Sequence, residues 1–440
     1  MPQHIVIIGN GIAGITCARN IRKQSNADIT VISSETEHFY SRTALMYIYM
    51  GHMKYEHTKP YEDWFWEKNR IQLLKDHVTS IDVKSKNILF QKGASINYDK
   101  LILATGSVSN KPDFIGINLS GVQSLYGVPD LELMIENTKG IKSAVMIGGG
   151  LIGIEMTEML LSRNIHVTFL IRENAYWDNI LPAQEAEIIS RHIKEHHVDL
   201  RRLTELKEIK GDEKVSSIIT NKGEEIACEF VGVTVGVSPN ITIIKNTEIE
   251  TERGVLVNEF FETNVPDVYA IGDCIQHRNP PVGRKPVEQV WYTGRMHGET
   301  LALTICGKKT AYNPAPWFNS AKFFDIEYQT YGTINAKPSE NESSFYWEHE
   351  GGKICFRAVY DKDDETIIGL NVLGIRLRHE ICDKWLKEKR NINDVMANFH
   401  QLNFDPEFFD THEESILSEF GKQTGKNVNR KKKKILSFFN

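Results

Sequence analysis

Residues 4–14 read HIVIIGNGIAG, an apolar run that ends among three glycines, Gly9, Gly11 and Gly14. The run is rich in β-branched residues and predicts a buried strand, and residues 15–22 (ITCARNIR) predict the helix that follows. Gly9 permits a tight turn, Gly11 lets the backbone approach a phosphate, and Gly14 lets the helix pack on the strand. Because the first turn of a helix has unpaired N–H groups and about half a positive charge, it attracts phosphates. This stretch therefore predicts a dinucleotide-binding turn.

A second strand is predicted at residues 28–33 (DITVIS), just after the first helix. In a dinucleotide-binding unit, an acidic residue near the end of this strand binds a ribose hydroxyl, about 20 residues after the glycine turn. Glu35 is our choice for this role, and Glu37 is the alternative. Residues 5–35 thus predict one βαβ half.

The opening pattern recurs at residues 144–155, AVMIGGGLIGIE, with Gly148, Gly150 and Gly153 at the same spacing. Two such turns, each between an apolar run and a helical pattern, predict two dinucleotide sites. A further amphipathic helix is predicted at residues 184–197.

The strand after the second turn, residues 166–171 (HVTFLI), bears on the choice of nucleotide. It is followed by Arg172, where a reader of the 2′-hydroxyl would have an acid. A cation suits a 2′-phosphate, which favours NADPH over NADH. The alternatives are that Glu173 restores NADH binding, or that Arg172 is a solvated surface residue.

Other segments end in residues that suit a bound dinucleotide. Residues 98–107 (YDKLILATGS) end in a turn that brings backbone close to a ligand, or is simply an ordinary exit from a strand. Another short strand stops at Gly272 and Asp273, and an aspartate there suits the hydroxyls of a polyol. Residues 288–303 predict a helix whose N-terminus can face an electron-rich ring oxygen.

The overall composition narrows the class of protein. A chain of 440 residues, 41% apolar and 25% charged, predicts a soluble protein of more than one domain. The net charge of −6 argues against general nucleic-acid binding, and no apolar run is long enough to cross a bilayer. No two of the six cysteines lie within five residues of each other, so no metal site is predicted. Scattered, buried free thiols fit a reducing cytoplasm.

The C-terminal part has a different pattern. Residues 316–332 and 354–373 alternate like antiparallel strands, and residues 377–388 and 392–399 predict helices, which together indicate a third domain. Residues 421–440 carry seven basic side chains and no acid, so the rest of the chain carries −13. The tail is interpreted as solvated and disordered, or as a docking segment for an acidic partner, or as a weak contact for an anionic membrane.

These motifs, in this order, resemble the two-dinucleotide-fold flavoprotein reductases, and most of all the ferredoxin and rubredoxin reductase branch. The resemblance rests on GNGIAG at 9–14 with Glu35, YSR at 40–42 with Leu45, ATGS at 104–107, GGGLIGIE at 148–155, GVSPN at 236–240, TNVPDVYAIGDC at 263–274, and PWF at 316–318 with FDI at 324–326.

The resemblance implies an α/β fold with two Rossmann-like dinucleotide-binding domains, one inserted in the other, and a C-terminal α+β domain. Hydride would pass from NADH or NADPH to FAD, and electrons would then pass to a small redox protein such as ferredoxin or rubredoxin. A homodimer is possible within this class. The implied domains are 1–110 with 245–310 (FAD), 111–244 (NAD(P)H), 311–420 (interface domain) and 421–440 (basic tail).

The motifs and the resemblance together predict the site residues. Glu155 and Arg42 are the predicted catalytic residues. The predicted cofactor-binding residues are Gly9, Gly11, Ile12, Ala13, Gly14, Glu35, Arg42, Val78, Ala104, Thr105, Gly106, Gly148, Gly150, Leu151, Ile152, Gly153, Glu155, Arg172, Gly236, Gly272, Asp273, Gln289 and Val290.

The chain also departs from the family pattern. Residues 42–45 (RTAL) lack a flavin-side cysteine, and Cys17 is predicted to be a core residue, so disulfide exchange is not expected. Tyr47 stands where these reductases usually have a lysine that pairs with Glu155, and Arg42 is the candidate substitute. The rival functions are an oxidase or quinone-type reductase with a small acceptor, and a flavin-bound scaffold with little turnover.

Overall fold

The computed structural model describes residues 2–426 and 428. Its strands, numbered in chain order, are β1 His4–Ile8, β2 Asp28–Ser33, β3 Ile71–Lys75, β4 Val78–Asp82, β5 Asn87–Phe90, β6 Ser95–Asn97, β7 Lys100–Leu103, β8 Ser107–Ser109, β9 Val122–Gln123, β10 Ser143–Ile147, β11 His166–Leu170, β12 Asp199–Arg201, β13 Leu206–Gly211, β14 Val215–Thr220, β15 Glu225–Ala227, β16 Phe230–Val233, β17 Val237–Pro239, β18 Val255–Val257, β19 Val268–Ala270, β20 Ile275–His277, β21 Phe318–Phe323, β22 Ile326–Gly332, β23 Glu342–Glu348, β24 Cys355–Asp361 and β25 Ile367–Leu373.

The α-helices, numbered in the same way, are α1 Ile12–Gln24, α2 Leu45–Tyr49, α3 Trp64–Lys68, α4 Val128–Asn137, α5 Leu151–Leu161, α6 Ala183–Glu195, α7 Trp291–Ile305, α8 His379–Lys387, α9 Ile392–Ala397 and α10 Glu413–Thr424. None of them, within the part of the chain that the structure describes, is both long and apolar enough to cross a membrane.

The chain divides into two compact units. The first consists of the described residues up to Phe169 together with Glu205–Pro314. The second consists of Leu170–Thr204 and the described residues from Ala315 onward.

The first unit is built on a five-stranded parallel sheet with the order β19-β7-β1-β2-β3. Strand β1 lies at its centre, where Ile5, Val6 and Ile7 are all fully or almost fully buried. A strand covered on both faces needs such a continuous apolar run, which explains why no alternation is seen in this part of the sequence. The predicted strands at the N-terminus and at residues 28–33 are confirmed.

Helix α1 packs closely on helix α7. A Cβ atom on Gly298 would lie 2.5 Å from the carbonyl oxygen of Ala13 and 2.9 Å from the backbone nitrogen of Cys17. The two backbones therefore approach at a distance that only glycine allows. Cys17 is fully buried at this contact, which confirms its prediction as a core residue.

The second glycine pattern also forms a strand, a turn and a helix. Strands β10, β16 and β9 are parallel neighbours, with Met146 opposite Gly232 in register. Helix α5 begins directly after Gly150. The predicted fold class, α/β with two dinucleotide-type units and a C-terminal α+β region, is confirmed.

The second unit contains a five-stranded antiparallel sheet with the order β21-β22-β25-β24-β23. Helices α8, α9 and α10 contribute to its core, in which Phe345, Phe356, Trp385 and Phe420 are almost completely buried. The antiparallel strands and the helices at residues 377–399 follow the sequence prediction.

Helix α6 belongs to this second unit, and a buried ion pair joins it to the sheet. Glu185 on α6 accepts hydrogen bonds from Nε and Nη2 of Arg357 on β24, at 2.6 and 2.9 Å. Both side chains are almost completely buried. The sequence pattern places residues 170–204 in the nucleotide-binding region. The ion pair between Glu185 and Arg357 joins residues 172 positions apart, so it leaves no local signal in the sequence. The domain boundaries drawn from sequence stay predictions.

The C-terminal end of the described chain is helical. Helix α10 extends to Thr424, so the predicted start of the tail at residue 421 falls inside a helix. Residues 427 and 429–440, which hold most of the basic tail, lie outside the described residues.

All six cysteines are free, and all except the half-buried Cys306 are buried, as the sequence predicts.

Candidate functional site

The first glycine turn has the geometry that its sequence predicts. Gly9 has φ +118°, and a Cβ there would lie 2.0 Å from the carbonyl oxygen of Ala104. A Cβ on Gly14 would lie 2.1 Å from the carbonyl oxygen of Gly9, so the helix and the strand are in close contact. At Gly11, in contrast, a Cβ would meet no atom of the described residues within 4 Å, its chain neighbours aside. Gly11 lines a cavity, so its missing side chain leaves room for a ligand rather than for the protein.

Helix α1 begins after Gly11 and helix α5 after Gly150, and the two N-termini are alike. Neither helix has a side chain that caps its first N–H groups, and neither has an acidic residue in its first turn. Among the described residues, no side chain thus competes with a phosphate for the N–H groups at these two helix N-termini. At the second turn, Gly148 has φ +102°, and a Cβ there would lie 2.4 Å from the carbonyl oxygen of Thr234.

A cavity of about 580 Å³ opens in front of the first turn, within the first unit. This volume lies in the range of small-molecule and cofactor sites. Its wall includes residues from both glycine motifs. The predicted site residues that line it are Gly9, Gly11, Ile12, Ala13, Glu35, Arg42, Val78, Ala104, Thr105, Gly106, Leu151, Ile152, Glu155, Gly272, Asp273 and Gln289.

The remaining predicted residues are not part of this wall, and their roles stay predictions. In the first unit they are Gly14, Gly148, Gly150, Gly153, Gly236 and Val290. Arg172 lies in the second unit, where its exposed side chain pairs with Glu173 at 3.0 Å.

Glu35 is held in place by several neighbouring protein groups. Its Oε1 accepts hydrogen bonds from the hydroxyl of Tyr40 at 2.5 Å and from the backbone N–H of Val128 at 2.9 Å. Arg42 donates to both carboxylate oxygens, at 3.3 and 2.7 Å. Burial acts to raise the pKa of Glu35, but Arg42 and these hydrogen bonds hold it below its usual value. Oε1 thus receives three hydrogen bonds and Oε2 only one, so Oε2 keeps an acceptor position for a ribose hydroxyl.

Arg42 also contacts the loop before α4. Its Nη1 donates to the carbonyl oxygen of Tyr126 at 2.6 Å, and its guanidinium lies 4.6 Å from the centre of the Tyr126 ring. Burial acts to lower the pKa of Arg42, but Tyr40 and Glu35 raise it, so this group stays charged. The structure thus pairs Arg42 with Glu35, and the suggestion that Arg42 replaces the missing lysine partner of Glu155 is wrong.

Glu155 is the polar side chain that α5 contributes to the cavity wall. Burial, and secondarily the charge of Glu158, raise its pKa to about 7. Among the described residues, its carboxyl has no hydrogen-bond or ion-pair partner. Tyr47, which stands at the usual lysine position, instead stacks its ring against His52. Glu155 can therefore change its charge near neutral pH at the wall of this cavity.

Asp273 forms a small hydrogen-bond network with Ser107 and Gln289 in the cavity wall. It lies in a short 3-10 turn, Gly272–Cys274, directly after β19, and its Oδ2 accepts a hydrogen bond from the Ser107 hydroxyl at 3.2 Å. The side-chain amide of Gln289 donates to the same hydroxyl oxygen at 2.7 Å. Burial raises the pKa of Asp273 to about 6, against the opposing effects of Ser107 and Arg42.

Several residues of this wall are absent from the predicted set, and two of them, Ser107 and Tyr126, make polar contacts beside Asp273. Ser107 follows the ATG motif directly, and its position was a usable signal. The Tyr126 hydroxyl accepts a hydrogen bond from the backbone N–H of Ser107 at 2.9 Å, but no motif surrounds Tyr126 in the sequence.

Sequence reasoning also missed a cluster in the second unit. His192, His196 and Asp325 bring three potential metal-binding atoms within 4.8 Å of one another. The four-residue spacing of the two histidines on a helix was a usable signal, since it places both on one face.

A comparison with known protein families agrees with the motifs. The family model described as pyridine nucleotide-disulphide oxidoreductase matches residues 3–298, which is more than half of the chain. The chain belongs to this family. The resemblance inferred from the sequence is therefore confirmed at the level of the family.

The relatives of this chain include both a rubredoxin-type reductase and an NADH oxidase. The chain is 30% identical to the NADH-rubredoxin oxidoreductase of Clostridium acetobutylicum, over 90% of this chain and 99% of that protein. It is 31% identical to the NADH oxidase of Methanocaldococcus jannaschii, over 84% and 87%. It is 27% identical to the nitrite reductase [NAD(P)H] of Bacillus subtilis, over 79% of this chain and 43% of that protein. The chain thus spans about half the length of this relative and of a second one from the same organism.

A solved structure shows the same fold. The NAD-dependent persulfide reductase from A. fulgidus superposes with a TM-score of 0.83 at 22% identity, covering 96% of this chain and 84% of that one. An identity this low establishes the fold alone.

Proposed function

We propose that this chain is an NAD(P)H oxidoreductase that binds FAD at the first glycine turn and the nicotinamide nucleotide at the second. The observation that carries the proposal is the cavity wall, in which the first turn, Asp273 and Gln289 are joined by Leu151, Ile152 and Glu155 from the second motif. A hydride donor and acceptor have to meet at one place, and two dinucleotide motifs that open on one cavity provide it.

The residues of the first turn fit FAD. The open space at Gly11 and the uncapped N-terminus of α1 suit a pyrophosphate. Asp273, at the end of its strand, offers a carboxylate for hydroxyl groups. When bound, FAD accepts a hydride from the nicotinamide and releases electrons one at a time, so the protein has to supply position and electrostatics.

Arg42 and Glu155 supply charges of opposite kinds. Arg42 is a fixed cation at the cavity wall, held by Glu35 and Tyr126. Glu155 is a carboxyl that loses its proton near neutral pH. In its ionised form it would stabilise a positively charged nicotinamide ring bound in this cavity.

We infer that the reduced flavin would pass electrons to an acceptor rather than reduce a disulfide. Among the described residues, no cysteine lines the cavity, and burial raises the pKa of the Cys17 and Cys274 thiols, so neither is a ready nucleophile. The proposed acceptor is a small redox protein of the rubredoxin or ferredoxin kind, which the relationship to the NADH-rubredoxin oxidoreductase supports.

The relationship to an NADH oxidase favours a second candidate, in which dioxygen is the acceptor. The two candidates are separated by measuring NADH and NADPH consumption by FAD-loaded protein under argon and in air. We expect slow consumption in both gases until rubredoxin or ferredoxin is added, and a large increase afterwards. Fast consumption in air that no redox protein increases would instead establish the oxidase.

A further inference from the structure

A cluster of three side chains lies in the second unit, away from the motifs of the proposed function. His192 and His196 occur one helical turn apart, at the end of α6 and at the residue that caps it. Asp325 lies in the turn between β21 and β22. We propose that these three residues form a binding site for a divalent first-row transition metal, with Zn²⁺ as its natural probe.

Two of the three distances between the ligand atoms fit one cation, and the third pair is in closer contact. The Nε2 atoms of the two histidines are 3.2 Å apart, and the Nε2 of His196 is 3.0 Å from Oδ1 of Asp325. The Nε2 of His192 is in direct contact with the same oxygen. Metal–ligand bonds of about 2.1 Å at angles of about 90–110° place ligand atoms roughly 3.0–3.4 Å apart.

Hydrogen bonds leave this arrangement crowded. If both histidines carry a proton on Nε2, both N–H groups donate to the same Oδ1 of Asp325, and their nitrogen atoms lie only 3.2 Å apart. If one of them carries none, its lone pair faces the acceptor oxygen of Asp325. A single cation accepts a lone pair from all three atoms and removes the conflict.

Neighbouring residues hold the two imidazole rings in place. The Nδ1 of His192 lies 3.3 Å from Oε2 of Glu195, and the same oxygen is 3.1 Å from Nζ of Lys353. The ring of Phe324 stacks on the ring of His196, with 4.2 Å between the ring centres. Metal-binding histidines are commonly oriented by a carboxylate on the second ring nitrogen, as Glu195 does here.

The burial of the ligands indicates how the site opens to solvent. The His192 side chain is 1% exposed, that of His196 37% and that of Asp325 65%. The buried His192 would thus hold the cation on its inner side. The side next to Asp325 would face solvent, where water completes the coordination. Two imidazoles and one carboxylate favour Zn²⁺, Fe²⁺, Co²⁺ or Ni²⁺ over Mg²⁺ and Ca²⁺, which prefer oxygen ligands.

The test is Zn²⁺ binding by the full chain, without a polyhistidine tag, in competition with a chromophoric chelator. We expect one Zn²⁺ per chain for the wild type. His196→Ala and Asp325→Ala should each weaken binding by at least about 100-fold, since changes to orienting residues alone cost roughly 10–100-fold. Both positions are partly or largely exposed, so the variants should fold. With Co²⁺, the wild type should show visible d–d absorption that both variants lack.

The control is His197→Asn, which removes a neighbouring exposed histidine. Its φ of +62° is one that asparagine tolerates. This variant should bind Zn²⁺ as tightly as the wild type. The proposal is overturned if the wild type binds no Zn²⁺ at micromolar concentration, if both ligand variants bind normally, or if His197→Asn loses binding to the same extent. None of these readouts depends on flavin or nicotinamide, so the result is independent of the proposed function.

Discussion

The substitution Gly11→Ala separates the role of the first turn in the fold from its role in binding. Gly11 has φ −70° and ψ −179°, which alanine adopts without strain. Apart from its chain neighbours, no atom in the part of the chain that the structure describes lies within 4 Å of the added Cβ. The stability of the cofactor-free protein should therefore be unchanged, or increase by about 0.4–1 kcal/mol because the unfolded chain loses freedom.

FAD binding should respond in the opposite direction. The added methyl group projects into the cavity, at the position where the pyrophosphate would approach the N-terminus of α1. Losing one hydrogen bond to a charged phosphate costs about 1.5–3 kcal/mol. This corresponds to a rise in the Kd for FAD of roughly 10–150-fold, measured by fluorescence titration of the cofactor-free protein.

The matched control is Gly150→Ala at the second turn. Its Cβ would lie 3.9 Å from the nearest protein atom, the carbonyl oxygen of Thr234. This variant should bind FAD normally and instead raise the KM for NADH or NADPH. Normal FAD binding by Gly11→Ala, or loss of FAD from Gly150→Ala, would refute the assignment of the two turns.

Three further predictions concern charged residues. In the wild type, the rate of flavin reduction should rise through about pH 7, because the carboxylate form of Glu155 dominates above that pH. Glu155→Gln should remove this rise. Stopped-flow flavin reduction at a series of pH values checks this, and an unchanged pH profile contradicts it. Glu185→Ala should lower the free energy of unfolding by about 3–5 kcal/mol in urea denaturation, since it leaves Arg357 buried without its partner. Arg191→Ala, at an exposed ion pair, is the control and should cost at most about 1 kcal/mol; equal losses would show that burial is not the cause. Arg172→Ala should weaken binding of NADPH more than that of NADH, and a nucleotide preference that survives the change contradicts the interpretation of this strand end.

Much of the first unit is predictable because its signals are local. The turn at Gly9 needs a positive φ, and the strand before it needs a continuous apolar run, so both requirements appear in consecutive residues. Helix ends were predicted less well. Helix α7 begins at Trp291 rather than at residue 288, since the backbone of Val290 is extended and Glu288 pairs with Arg284 before the helix starts.

The parts that sequence reasoning missed depend on contacts between distant residues. His192 and Asp325 are 133 positions apart, and Glu185 and Arg357 are 172 apart. The partner of Arg42 could not be chosen from its motif either, because Glu35 competes with Glu155 for the guanidinium, and only the folded chain shows which of them it reaches.

The most direct test of the central claim is stopped-flow mixing of FAD-loaded protein with NADH or NADPH in the absence of oxygen, followed by the flavin absorbance. We expect at least one nucleotide to bleach the flavin within seconds, since residues of both dinucleotide motifs line one cavity. Bleaching far slower than seconds with both nucleotides would contradict it, and would point instead to a flavin-bound scaffold that turns over only incidentally.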